Sequence, residues 1–262
     1  MNRILVAGKG GVGKSFLTFA LAEYLVSLGR PVIIVDADES NQSLHRWFGF
    51  AEPPCSILDF IGGKGAIKVK LREALRQSQG DPRVSIFNDQ AIDLNLIPEE
   101  FKKTRDGITL ISIGKIKEPL EGCACPMGVL AKDFLSKLTL RAKEYLIVDT
   151  EAGLEHFGRG LEQGVDKIIA VAEPYLDALE MAERIVEFGE KLQKKTLLII
   201  NKVMPSSEGA NFVVPEGLRR LNKVPSIIFP FSFEIYEASL KGEKPKIDKL
   251  TKVLEKLVLH LE

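Results

Sequence analysis

The sequence predicts an α/β protein: a doubly wound, mostly parallel sheet with helices on both faces. Three observations predict it. Strand-like runs alternate with helical patterns almost throughout. Most of those runs are continuous, apolar and rich in β-branched residues, such as Val32-Ile33-Ile34-Val35 and Leu197-Leu198-Ile199-Ile200, as expected of strands buried on both faces. Finally, Gly8-Lys9-Gly10-Gly11-Val12-Gly13-Lys14-Ser15 directly follows the apolar run Ile4-Leu5-Val6-Ala7 and precedes a helical pattern. That is the strand–loop–helix setting in which G-x-x-x-x-G-K-[ST] binds phosphate.

In chain order, the first strand covers 3–7 and the first helix 14–28, whose positive N-terminal end faces the loop. A second strand, 31–36, runs into Asp36-Ala37-Asp38. Residues 42–105 are less regular, punctuated by Pro53-Pro54, Gly62-Gly63 and Asp81-Pro82. They read as an insertion on the nucleotide side of one domain spanning 1–262. A strand at 108–113 comes next. Pro126 then suits the first turn of a helix at 127–142, where Val129, Leu130, Phe134, Leu135 and Leu138 recur at helical spacing. Strands at 145–149, 167–172, 196–201 and 226–229 alternate with helices at 175–192, 215–222 and 247–261. No repeat or low-complexity segment interrupts them.

Composition narrows the class. At 262 residues and 45% hydrophobic, the chain supplies an ample core. Thirty-six basic residues balance thirty-six acidic ones, so no net field favours nucleic acid or a membrane surface. No apolar run approaches the ~20 residues of a membrane-spanning helix. The first strand begins at once, leaving no room for a signal peptide, and three cysteines make no disulfide framework. A cytoplasmic protein is expected.

The loop chemistry follows from its residue types. Its glycines let the backbone curl so that successive N–H groups face an anion, and the cradle is assigned to Gly8, Gly10, Gly11, Val12, Gly13, Lys14, Ser15 and Phe16. Lys14 reaches the β- and γ-phosphates, and the Ser15 hydroxyl ligates Mg²⁺. Open α/β sheets bind ligands at the carboxyl ends of their strands. Three such ends carry fitting residues: Asp36-Ala37-Asp38, Asp149-Thr150-Glu151-Ala152-Gly153 and Asn201-Lys202. Asp149 stands where a Walker B carboxylate holds Mg²⁺ through water, with Asp36 in support. Gly153 stands where a switch turn could swing toward a γ-phosphate.

Gly122-Cys123-Ala124-Cys125-Pro126 is the other informative segment. Both thiols lie at a predicted helix N-terminus, where the dipole favours thiolate. Two thiolates can grip Zn²⁺, Ni²⁺ or Cu⁺, yet such ions want about four ligands. Two chains paired across a two-fold axis would complete S₄. Cys55, beside Pro53-Pro54, reads as a packed thiol.

Lys9, giving GKGGVGKS, resembles the deviant P-loop of the MinD, ParA, arsenical-pump and nitrogenase iron-protein superfamily. The resemblance implies that Lys9 crosses a dimer interface to the partner's nucleotide, that Asp38 orients the attacking water, and that Asn201 reads the base. The absence of an N-K-x-D aspartate after Asn201-Lys202-Val203-Met204 favours ATP over GTP. Together with G-C-x-C-P and the run Val148 to Gly160, which contains Glu151 and His156, the whole resembles the CooC-type ATPases. These are factors that help insert nickel into carbon monoxide dehydrogenase or acetyl-CoA synthase. The resemblance implies an ATP/ADP-driven homodimer with Mg²⁺, a shared Ni²⁺ or Zn²⁺ site at Cys123 and Cys125, and a nickel-enzyme client. His156 reads as a structural or interface histidine.

Two alternatives stay open at this point. A MinD/ParA-type positioning ATPase would use the basic amphipathic stretch 247–261, with Leu250, Val253, Leu254, Leu257 and Leu261 on one face, at a membrane. An iron–sulfur carrier would use the cysteines for a cluster.

Overall fold

The computed structural model describes residues 2–38, 44–77, 86–87, 91–114, 125–154, 160–205 and 212–262. Its centre is an eight-stranded sheet: β1 (Arg3–Gly8), β2 (Val32–Ala37), β3 (Lys103–Arg105), β4 (Ile108–Ser112), β5 (Tyr145–Thr150), β6 (Lys167–Ala172), β7 (Lys195–Val203) and β8 (Ser226–Pro230). The spatial order is β3-β4-β2-β5-β1-β6-β7-β8. Every neighbour pair is parallel except β3–β4, which forms an antiparallel edge. β1 is central. It pairs with β5 through Val6 opposite Asp149 and with β6 through Gly8 opposite Val171. The carboxyl ends of β1, β2, β5, β6 and β7 therefore meet along one rim. The apolar runs that predicted parallel strands are buried: Val32 to Val35 and Leu197 to Ile200 are each at most 1% exposed.

All seven predicted strands are present. The eighth, β3, is short and joined to β4 through Asp106 (φ 50°) and Gly107 (φ 82°), a two-residue turn with both centres left-handed. Eight α-helices lie among the described residues: α1 (Lys14–Ser27), α2 (Leu44–Trp47), α3 (Ile57–Phe60), α4 (Gly63–Gln77), α5 (Cys125–Lys137), α6 (Leu176–Lys191), α7 (Phe233–Lys241) and α8 (Thr251–Leu261).

Several sequence expectations are corrected. The segment 42–105 is more regular than expected, carrying α2, α3, α4 and β3 among its described residues. The predicted helix 215–222 is a pair of turns followed by a 3-10 turn at Leu221–Lys223. There the Glu183 carboxylate accepts from the N–H groups of Arg220 (3.0 Å) and Leu221 (2.9 Å), which takes the donors a helix would have used. The helix predicted at 127–142 ends at Lys137, because the Arg3 guanidinium donates to the carbonyls of Leu135 and Leu138 and the chain turns to bridge Ile92. The final helix starts at Thr251, after a 3-10 turn at Asp248–Leu250. Its apolar face is turned inward: Leu250, Leu254, Leu257 and Leu261 are each at most 2% exposed. No helix among the described residues is long and apolar enough to cross a membrane.

Candidate nucleotide site

The glycine-rich loop joins β1 to α1. Gly11 (φ 81°) and Gly13 (φ 96°) take left-handed backbone that a side chain would strain. Gly8 is required by space: a Cβ there would lie 2.3 Å from the Val171 carbonyl oxygen of β6. The loop thus curls over the end of the sheet, and α1 begins at Lys14 with its free N–H groups toward the same hollow. The Lys14 ammonium donates to the carbonyls of Lys9 (3.1 Å) and Gly8 (3.3 Å). Burial holds it below the usual lysine range, opposed by the carboxylates of Asp149, Asp38 and Glu151.

Beside the loop lies a carboxylate group. Asp149, 1% exposed at the end of β5, accepts from the Ser15 hydroxyl at 2.6 Å and from the Thr18 hydroxyl at 3.4 Å. Asp36 lies opposite Asp149 on β2, and its Oδ1 accepts from the Asp38 N–H at 3.1 Å. Burial, with the Asp36 charge adding to it, pushes the Asp149 carboxyl up to about 7, against the hydrogen bond from Ser15. Two carboxylates crowded beside a hydroxyl form a hard oxygen donor set whose mutual repulsion a divalent cation relieves. The residues fit Mg²⁺.

A cavity of about 660 Å³ opens from the loop. Gly10, Gly11, Gly13, Lys14, Ser15, Phe16, Asp38 and Asn201 all line it, which brings most of the predicted cradle to one place. Its far wall, Pro230, Phe231, Ser232, Ile235 and Tyr236, comes from the end of β8 and the start of α7. Sequence reasoning missed that wall. Its signal was there: Ser232 caps α7 through the Ile235 N–H, and Gly242 (φ 69°) closes the helix. Asn201 sits at the cavity, but its Nδ2 donates to the Val12 carbonyl at 2.8 Å, so one amide proton is already committed to the loop. Lys202, the other residue of that strand end, donates to the Gly11 carbonyl and to Glu173 Oε1, each at 2.7 Å.

Lys9 stands 38% exposed on the loop's outer side, 3.1 Å from Asp177 Oδ2 and 5.4 Å from the Tyr175 ring centre. Asp177 lies in the first turn of α6 and Tyr175 just before it, and neither partner was foreseen. Cys123 and His156 lie outside the described residues; Cys125 is the first residue of α5. Cys55 is not packed but exposed, because its N–H is held by the Glu100 carbonyl (2.8 Å) at the surface beyond Pro53-Pro54.

Residues 4–245 match the CobQ/CobB/MinD/ParA nucleotide binding domain. The chain is 40% identical over 242 residues to an uncharacterized ATP-binding protein of Methanocaldococcus jannaschii, covering 92% of this chain and 93% of that one. It is 32% identical over 212 residues to the carbon monoxide dehydrogenase accessory protein CooC of Rhodospirillum rubrum, covering 81% of this chain and 78% of CooC. Among solved structures, the septum site-determining protein MinD of Pyrococcus horikoshii, complexed with Mg-ADP, superposes with a TM-score of 0.68 over 100% of this chain and 96% of that one. At 17% identity that likeness shows the fold.

Proposed function

Because the chain belongs to the CobQ/CobB/MinD/ParA nucleotide-binding domain family, of MinD/ParA-type ATPases, we propose that it is an ATP-driven maturation factor. In this reading it forms a homodimer, hydrolyses ATP with Mg²⁺ and passes Ni²⁺ to a nickel enzyme such as carbon monoxide dehydrogenase. The observation that carries the reading is one chain holding both a formed nucleotide cradle and, in its sequence, a Cys-x-Cys pair whose second member, Cys125, is the first residue of α5. The identity to CooC supports the client class.

Each residue has a task in that reading. The loop N–H groups and the α1 terminus bind the phosphates. Lys14 moves from its loop carbonyls to the β- and γ-phosphates. Ser15, Asp149 and Asp36 would hold Mg²⁺, which supplies charge neutralisation at the phosphates. Asp38 orients the water that attacks the γ-phosphorus as its bond to the bridging oxygen breaks. Lys9 of a second copy meets the developing charge, which ties hydrolysis to the closed dimer. Cys123 and Cys125 from two copies make one four-thiolate site for the cargo ion.

Metal analysis with sedimentation tests the reading. Wild-type protein should bind about one Ni²⁺ or Zn²⁺ per dimer. Cys123→Ser or Cys125→Ser removes two of the four sulfurs at once through the two-fold axis, and should abolish tight binding while ATP binding survives. Thiols must lose protons to ligate, so affinity should fall as pH drops. One metal per monomer, or undiminished binding in the double cysteine variant, refutes the shared site.

A further inference from the structure

We infer that Lys202 is a positioning residue for the nucleotide, holding the phosphate-binding loop in its curled form by tying the Gly11 carbonyl to Glu173; this rests on the nucleotide reading above. A loop that turns its N–H groups inward turns carbonyls outward, and those carbonyls need donors. Two successive ones have them. The Gly11 carbonyl accepts from Lys202 Nζ at 2.7 Å and the Val12 carbonyl from Asn201 Nδ2 at 2.8 Å. In a regular strand, successive side chains point to opposite faces, so Asn201 and Lys202 could not both reach the loop.

A bulge solves this. β7 pairs with β8 through Ile200 opposite Ile228 and next through Val203 opposite Pro230, three steps on one strand against two on the other. The extra residue lies at this point, where Lys202 takes left-handed backbone at φ 58°. Lysine is strained there and glycine is not. A lysine held in that backbone points to a task for its side chain. The ammonium fills it: it bridges the loop carbonyl to Glu173 Oε1 at 2.7 Å, just past the end of β6. Three neighbouring strand ends, β1, β6 and β7, are thereby fastened through one cation. Lys202 also lines the cavity, so the fastening lies beside the bound ligand.

Strain and tether act in opposite directions, which makes the test sharp. In the full-length protein, Mg²⁺–ADP binding by calorimetry is compared with thermal unfolding measured without nucleotide. Lys202→Gly removes the ammonium and relaxes the backbone. It should weaken ADP binding about tenfold, the scale of a charged hydrogen bond, while Tm stays equal or rises. Lys202→Met keeps the hydrocarbon stem and the strain, and should weaken binding as much with no gain in Tm. Lys202→Arg, which keeps cationic donors, should recover most of the affinity. Wild-type affinity in both the glycine and methionine variants overturns the inference. So does a loss of affinity in Lys202→Gly that tracks a fall in Tm, the mark of a purely structural residue. Failure of the wild type itself to bind ADP would refute the nucleotide reading, and this inference with it.

Discussion

Asp149→Asn should stabilise the nucleotide-free protein at alkaline pH while destroying its response to Mg²⁺ and nucleotide. The carboxyl is raised from 3.8 to about 7 by burial and by Asp36. The native state therefore binds more protons than the unfolded chain between those values, and this group's contribution makes stability fall as pH rises through that window. At about pH 8 the buried charge costs roughly 4 kcal/mol, from a shift of about three units at ~1.36 kcal/mol each. At about pH 5 the native carboxyl is protonated and the cost shrinks to roughly 1.5–2 kcal/mol. Asparagine carries no charge at either pH. The stability gained by Asp149→Asn should then shrink by about 2–3 kcal/mol on going from about pH 8 to about pH 5, or some 5–10 °C in Tm for a chain of this size. The assay is thermal unfolding in EDTA for both proteins across that range, repeated with Mg²⁺–ADP. In the second series only the wild type should gain. A stability gap independent of pH, or a variant still stabilised by Mg²⁺–ADP as the wild type is, refutes the reasoning.

Three further outcomes are expected. Lys9→Ala should keep nucleotide binding but lose ATP-driven dimerisation and hydrolysis, whereas Asp177→Asn should tighten dimerisation. The Lys9–Asp177 pair is largely exposed, and such pairs are worth at most about 1 kcal/mol, so the gain should stay below roughly fivefold; sedimentation with a non-hydrolysable ATP analogue measures both, and normal dimerisation by Lys9→Ala removes the in-trans role. Asp38→Ala should bind ATP yet barely hydrolyse it, accumulating closed dimer; brisk phosphate release in that variant would take Asp38 out of water positioning.

Much of this was legible in the sequence, for definite reasons. The seven long strands announced themselves because a parallel sheet buries both faces, leaving unbroken apolar runs such as Leu197 to Ile200. The loop was legible because its glycines answer local demands, the left-handed turns at Gly11 and Gly13. What escaped depends on contacts between segments distant in the chain. That Glu183 would take the donors of Arg220 and Leu221 and so dissolve a predicted helix is a tertiary fact. So is the pairing of Lys9 with Asp177, 168 residues away. The β7 bulge is subtler still. No glycine marks it, and without it Asn201 and Lys202 read as ordinary alternating strand residues.

The C-terminal helix bears on the choice between handling metal and resting on a membrane. An amphipathic membrane anchor needs its apolar face available to lipid. In α8 that face, Leu254, Leu257 and Leu261, is wholly buried against β8 and α1. Moving it onto lipid would return the transfer energy of these side chains but leave the apolar face of the sheet beneath them uncovered, a cost that lipid contact by the helix does not offset. The lysines around it, Lys249, Lys252 and Lys256, then need no lipid to explain them: they are the solvated side of a covering helix. With its apolar face spent on the sheet, α8 gives the positioning reading no membrane anchor, whereas the sequence pair Cys123 and Cys125 has a use in the proposed metal-handling reading.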